Sequence, residues 1–303
     1  MIAAVAAMVA ATLAGLLAHR RDPAGAQRAG RGALSALLWV VMPFVFVLSL
    51  PSLRMTGDLV LGAALGWVAI GTAGIAAWAI GTHVLRLPRP TTAALILTVV
   101  IANTGYFGLP FVRGLLGRDD LPTAIVFDAL VSGPMFYVVG VTIAAVYGHG
   151  PRATPRERAR RVLLRNPVLV AAIVGLALPG AWIPGVLVSA AHTAVWALLA
   201  LGFFALGVTL AAEHRAGALT LRIDAALGTA LALRLLLVPA LYIGLTELLT
   251  DVPASFRLES AMPVGLTTLV LAHAADLDLR LTASAIAWSA TIVATWGLIA
   301  AAV

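Results

Sequence analysis

Apolar residues run along this chain in blocks of roughly 20, parted by short clusters of arginine, aspartate, proline and glycine. A helix of about 20 apolar residues spans the ~30 Å hydrocarbon core of a bilayer. The pattern predicts ten spans, near residues 2–18, 32–50, 59–82, 91–113, 121–147, 166–180, 185–211, 223–249, 256–275 and 281–302. Two of these blocks contain breaks. Asn103–Pro110 (NTGYFGLP) puts an asparagine, two glycines and a proline into the fourth, and Met262–Gly265 (MPVG) does similar work in the ninth. Lipid cannot satisfy freed backbone groups, so chemistry of this kind at membrane depth marks a site enclosed by protein or water. Pro110 and Pro263 stand about half the chain apart, which suggests a repeat.

Composition narrows the class. Hydrophobic residues make up 61% of the 303 and charged residues 11%. Between Asn166 and Ala212 there is no Asp, Glu, Lys or Arg. This excludes a soluble fold and predicts an all-α, multi-pass protein whose surroundings are lipid. No cysteine is present, which excludes disulfides and thiolate metal sites. No cofactor is expected. Ile2–Ala18 has no basic residues before it and Arg20 and Arg21 after it, the reverse of a secretory signal peptide, so a retained span is expected.

All 20 basic residues are arginine and they lie almost entirely between spans, which fits anchoring loops rather than a nucleic-acid partner. With both termini outside the cell membrane, 15 arginines fall in inside loops, 4 in outside loops, and Arg234 within a span. The Arg-rich stretch 149–165 divides the chain into five-helix repeats at 1–148 and 166–303. An odd number of spans per repeat inverts the second, an architecture in which discontinuous helices meet at a midplane substrate site.

Several residues carry candidate chemistry. The amide of Asn103 offers donors and an acceptor without the cost of burying a charge, either for substrate or for freed backbone. Thr104 follows it. Gly105 and Gly108 permit unusual backbone or close approach, and Pro110 suits the first turn of a restarted helix. Such a restart aims amide hydrogens and a positive dipole end at a ligand, which favours an anion. Pro263, Val264 and Gly265 form the second break, with Thr267 and Thr268 a turn later. Asp128, with Ser132 on the same helical face, can carry a proton, pair with a cation or cap a helix. Tyr137 is predicted nearly opposite Asp128 around the helix. Arg234 requires a partner: Asp128, a cluster of backbone carbonyls or an anionic substrate. Glu259 is expected at a solvated interface, and His192 and His273 as packing residues.

The run NTGYFGLPF (Asn103–Phe111), followed by AMPVGLTTLVLAHAADLD (Ala261–Asp278), resembles the paired signature of the auxin efflux carrier family of secondary transporters, to which plant auxin carriers are related. Leu163–Gly180 and the region around Met42 and Pro43 add similarity. The resemblance implies two broken helices crossing at their prolines, a scaffold of spans 1, 2, 6 and 7, a transport core of spans 3–5 and 8–10 that works as an elevator, and a possible homodimer. It nominates Asn103, Pro110 and Pro263 for the site. Plant auxin carriers tend to have a polar residue where this chain has Val264, and many have a long hydrophilic central loop that is absent here, so auxin itself is not the expected cargo.

The expected function is secondary transport of small organic acid anions by alternating access, driven by a proton gradient or membrane potential. A sodium-coupled organic anion symporter is the alternative. No GxxxxGK[ST], HExxH or GxSxG is present and no pair of span carboxylates at one depth is evident, so neither ATP coupling within this chain nor an intramembrane enzyme is expected. A non-transporting sensor is a more distant reading.

Overall fold

A computed structural model describes residues 2–51, 53–148, 167–220 and 222–302. The stretch 149–165, expected to be a cytoplasmic linker, lies outside the described residues. The described chain is all-helical. In order, α1 is Ile2–Arg21, α2 Pro23–Ser49, α3 Gly57–Val84 and α4 Arg89–Val100. Residues 104–115 form α5, Leu121–Tyr147 α6, Pro167–Ala177 α7 and Gly185–Arg215 α8. Then come α9 (Ala225–Leu249), α10 (Ala254–Ser260), α11 (Thr267–Ala275) and α12 (Leu279–Ala302). Six of them, α2, α3, α6, α8, α9 and α12, are long and apolar enough to cross a membrane, while α4 and α7 are shorter apolar helices.

Helix starts follow local capping chemistry. Asp22 accepts a 2.9 Å hydrogen bond from Gly25 N, with Pro23 next to it. That cap starts α2 well before the block near 32–50, because a proline at the first position costs no hydrogen bond. Thr56 caps α3 through Leu59 N, and Asp224 caps α9 through Leu227 N at 2.9 Å. Several helices contain wide π turns, among them Leu37–Val41, Asp128–Ser132, Met135–Gly140 and Leu233–Leu237. Each closes a hydrogen bond from i to i+5 and so holds an extra residue, which shifts the faces of everything downstream.

Packing relies on small residues. α1 lies along α8, with Gly15 and Gly207 at the contact. A Cβ on Gly15 would sit 2.8 Å from Val208 N, and one on Gly207 would sit 3.1 Å from Leu16 N. The two backbones therefore touch, the close approach by which helices gain dispersion where no hydrophobic drive separates side chain from solvent. Gly175 brings α7 against Phe46 O of α2 in the same way, at 2.8 Å from its would-be Cβ. Elsewhere aromatic rings meet edge to face, Phe127 of α6 with Tyr242 of α9 and with Phe256 of α10, at 5.7 and 5.3 Å. Large apolar side chains such as Ile75, Leu236 and Leu248 face outward, as suits a surface wetted by acyl chains rather than water.

The blocks near 91–113 and 256–275 are each two helices. α4 stops at Val100 and α10 at Ser260, and the chain between them and their successors is not helical. Around Ala102 and Val264 these two connecting segments pair antiparallel. Asn103 N donates to Pro263 O at 2.8 Å and Gly265 N to Ile101 O at 2.9 Å. Val264 N finds the Ser289 hydroxyl of α12 at 3.1 Å. Three of the freed amides are thus paired inside the protein, as a dry interior demands.

Candidate functional site

One cavity of about 880 Å³ opens beside this crossing. Its polar wall comes from the crossing and α6: Asn103, Thr104, Asp128, Ser132, Tyr137 and Thr142. Apolar side chains line it from α2 and α7, among them Leu38, Trp39, Met42 and Leu169, and also from α6 and α11, with Phe136, Val138 and Val270. The first residues of α5 (Thr104, Gly105, Tyr106) and of α11 (Thr267), with Gly265 and Leu266 before it, also line it. The initial amides of a helix have no partner within it and carry the positive end of its dipole. Two such ends therefore border the same space.

The residues that meet there are tightly placed. Asn103 and Asp128 keep only 7% and 8% of their surface exposed. The Thr104 hydroxyl donates to Asp128 Oδ1, fixing that carboxylate at the mouth of α5. A Cβ on Gly105 would lie 2.8 Å from Met42 Cε and 3.6 Å from Asp128 Oδ1, so a glycine here lets α5 approach both. The Ser132 hydroxyl makes no hydrogen bond within the described residues, leaving it available to a ligand.

Not every expected site residue lines this cavity. Asn103, Thr104, Gly105, Asp128, Ser132, Gly265 and Thr267 do. Pro263 contributes its carbonyl to Asn103 N, and Val264 is buried with its amide on Ser289. Pro110 is buried within Leu109–Leu115, seven residues beyond the crossing. The segment that meets Pro263 is Ile101–Asn103, and a π turn, Thr104–Gly108, separates it from Pro110. Gly108 faces Glu259, whose Cδ would lie 2.7 Å from a Cβ there.

Two expectations are corrected. Glu259 is not at a solvated interface but fully buried, because α10 ends inside the protein at the crossing instead of at its surface. Asp128 and Glu259 consequently flank α5, a proximity of span carboxylates that spacing along the chain did not reveal. Tyr137 faces the same cavity as Asp128. The π turns Asp128–Ser132 and Met135–Gly140 lie between them and undo the half-turn offset an ideal helix would impose. Tyr106 was missed altogether, although it sits between the two glycines of the first break.

Arg234 is fully buried, outside the cavity lining. Of its three candidate partners, backbone carbonyls are the ones it bonds: Nε to Met262 O at 2.9 Å, Nη2 to Ser260 O at 2.8 Å and Nη1 to Val99 O at 3.3 Å. Among the histidines, His273 pairs with Glu213 at 3.4 Å, and neither it nor His192 lines the cavity. Among the described residues no cluster of three or more His, Cys, Asp or Glu could hold a metal.

No family model matches the chain. A curated relative, the uncharacterised transporter MJ1031 of Methanocaldococcus jannaschii, is 27% identical over 236 residues, covering 75% of this chain and 74% of its own. That similarity and the long apolar helices together support a multi-pass membrane transporter.

Proposed function

We propose that this protein is a secondary carrier for small organic acid anions, of the auxin efflux carrier type, which alternates access around the crossing at Ala102 and Val264. In this reading α4–α5 and α10–α11 are the broken fourth and ninth of ten spans, related as inverted repeats. The scaffold is α1, α2, α7 and α8, and the rest is the moving core. The observation that carries the reading is the cavity beside an antiparallel backbone crossing, bordered by two helix N-termini and by Asn103.

The roles follow from chemistry. An anionic headgroup accepts hydrogen bonds from the first amides of α5 and α11 and from the Asn103 amide and Ser132 hydroxyl. The substrate's carbon skeleton packs on Trp39 and Met42. Asp128 then poses an electrostatic problem. Two like charges about 6 Å apart at an effective dielectric constant near 20 repel by roughly 3 kcal/mol, on the order of a hundredfold in affinity. A proton taken up with the anion removes that repulsion, so Asp128 is the group through which a proton gradient drives the substrate. Dispersal of charge onto a neutral amide lets Asn103 orient the headgroup without adding to the repulsion.

The test begins with thermal-shift measurements on purified protein against dicarboxylates, keto acids and indole acids. The acid that stabilises it is then followed into proteoliposomes with and without an imposed pH gradient. The expected result is gradient-stimulated uptake that Asn103→Ala abolishes. Stabilisation by none of the acids, or binding without any movement across the bilayer, would reject the carrier reading.

A further inference from the structure

Three main-chain carbonyls converge beside the crossing: Val99 O near the end of α4, Ser260 O at the end of α10, and Met262 O in the connecting segment. The last carbonyls of a helix lack intrahelical partners and carry the negative end of its dipole. A converging set of this kind, with a carboxylate nearby, is the coordination that Na⁺ or K⁺ accepts in place of water. Here the carboxylate is Glu259, fully buried, with neither oxygen hydrogen-bonded within the described residues. Its carboxylate lies against Gly108 of α5 and, among the described residues, forms no contact ion pair with Arg234.

We propose that the carbonyls of Val99, Ser260 and Met262, with Glu259, form a monovalent-cation site that the Arg234 guanidinium occupies permanently, so that the protein carries its cation as a side chain and takes no sodium or potassium there. The geometry favours a guanidinium over a point charge. Three nitrogens of one planar group each meet a different carbonyl, whereas a lysine ammonium concentrates its charge at one atom. Arginine also keeps its charge when fully buried, because it does not lose its proton in proteins. The same side chain ties the ends of two helices together across the crossing, holding α4 against α10 from behind while the starts of α5 and α11 face the cavity. Negative helix ends thus meet a fixed cation and positive ends meet the ligand space.

The experiment reads binding rather than transport, so its outcome is independent of the carrier reading. Melting midpoints of wild type and Arg234→Ala are measured in detergent at matched low-millimolar guanidinium, sodium, potassium and tetramethylammonium. Wild type is expected to melt identically in sodium, potassium and tetramethylammonium. Arg234→Ala is expected to melt lower and to recover by about 3–6 °C for each tenfold excess of guanidinium over its dissociation constant, with no recovery in tetramethylammonium. Adding Glu259→Gln to Arg234→Ala should erase most of that recovery. A sodium-dependent rise in the wild-type midpoint would overturn the proposal, as would an Arg234→Ala protein that ignores guanidinium. If Arg234→Ala does not fold, Arg234→Lys serves in its place: a midpoint below wild type that sodium leaves unchanged supports the site, and one equal to wild type refutes the need for three carbonyl contacts.

Discussion

Gly265→Ala tests the crossing most directly. A Cβ at this position would lie 2.8 Å from Ala102 O and 3.0 Å from Ile101 Cγ2, where ordinary contact begins near 3.4 Å. The closer obstruction is the Ala102 carbonyl, a backbone group that cannot swing aside as a side chain could. Ala102 cannot recede either, because its neighbours are held by Asn103 N to Pro263 O at 2.8 Å and by Gly265 N to Ile101 O at 2.9 Å. Stretching both bonds forfeits about 1 kcal/mol each, and leaving either group unsatisfied in a dry interior costs about 1–3 kcal/mol, giving about 3–5 kcal/mol in all. At about 2–4 °C per kcal/mol for a chain of this size, the melting midpoint should fall by roughly 6–20 °C. The assay is thermal unfolding of the purified protein in detergent, with uptake measured in parallel. Gly71→Ala is the control: nothing lies within 4 Å of its would-be Cβ on α3, and alanine there should be neutral or stabilising by about 0.5–1 kcal/mol. A Gly265→Ala protein melting within about 1 °C of wild type, with full uptake, would show that the two segments are not locked as described.

Three further outcomes are expected. Asn103→Ala should keep a near-native midpoint, since the crossing uses its main chain, yet lose at least about tenfold in uptake by loss of a charge-assisted hydrogen bond; unchanged uptake would remove the side chain from the site. Asp128→Asn should take up substrate at a rate that no longer follows the pH gradient, and Thr104→Val, which deletes the hydroxyl donating to Asp128, should displace the pH profile without flattening it; identical profiles in all three proteins would make Asp128 structural. Gly207→Val should drive α1 away from α8 through the Thr12–Leu16 backbone and lower the midpoint by several degrees, as circular dichroism melts would record; a native midpoint would mean the helices do not meet as closely as their glycines suggest.

How much of this was legible in the chain depends on the range of the forces involved. Apolar blocks are local, and they located most of the long helices to within a few residues, but the Asp22–Pro23 cap starts α2 well ahead of its apolar block, where hydropathy gives no signal. The glycine and proline of each break, and the asparagine of the first, are local too, which is why the cavity falls beside them. The register of the crossing is not local. That Pro263 meets Asn103 and not Pro110 depends on how two segments far apart in sequence align, and a proline inside the start of a helix is as acceptable as one at a break. Tyr137 was misplaced because π turns leave no mark in hydropathy, so an ideal helical wheel assigned it the wrong face. Glu259 was misplaced because a charge near a block's end looks interfacial until the helix is seen to stop indoors. For Arg234 the chemistry demanded a partner, and only tertiary structure could choose the carbonyls among the three available.

The division of the cavity wall has an evolutionary consequence. In the proposed carrier the groups able to grip a charged head belong to the crossing and α6, whereas much of the surface that would measure a ligand's bulk belongs to Trp39, Met42 and Leu169 on α2 and α7, with Phe136 and Val138 of α6 adding to it. Much of the preference for tail length would therefore be written on stretches of polypeptide apart from the headgroup contacts. Relatives could exchange cargo by altering α2 and α7 alone while leaving the backbone pairing and its arginine tether untouched.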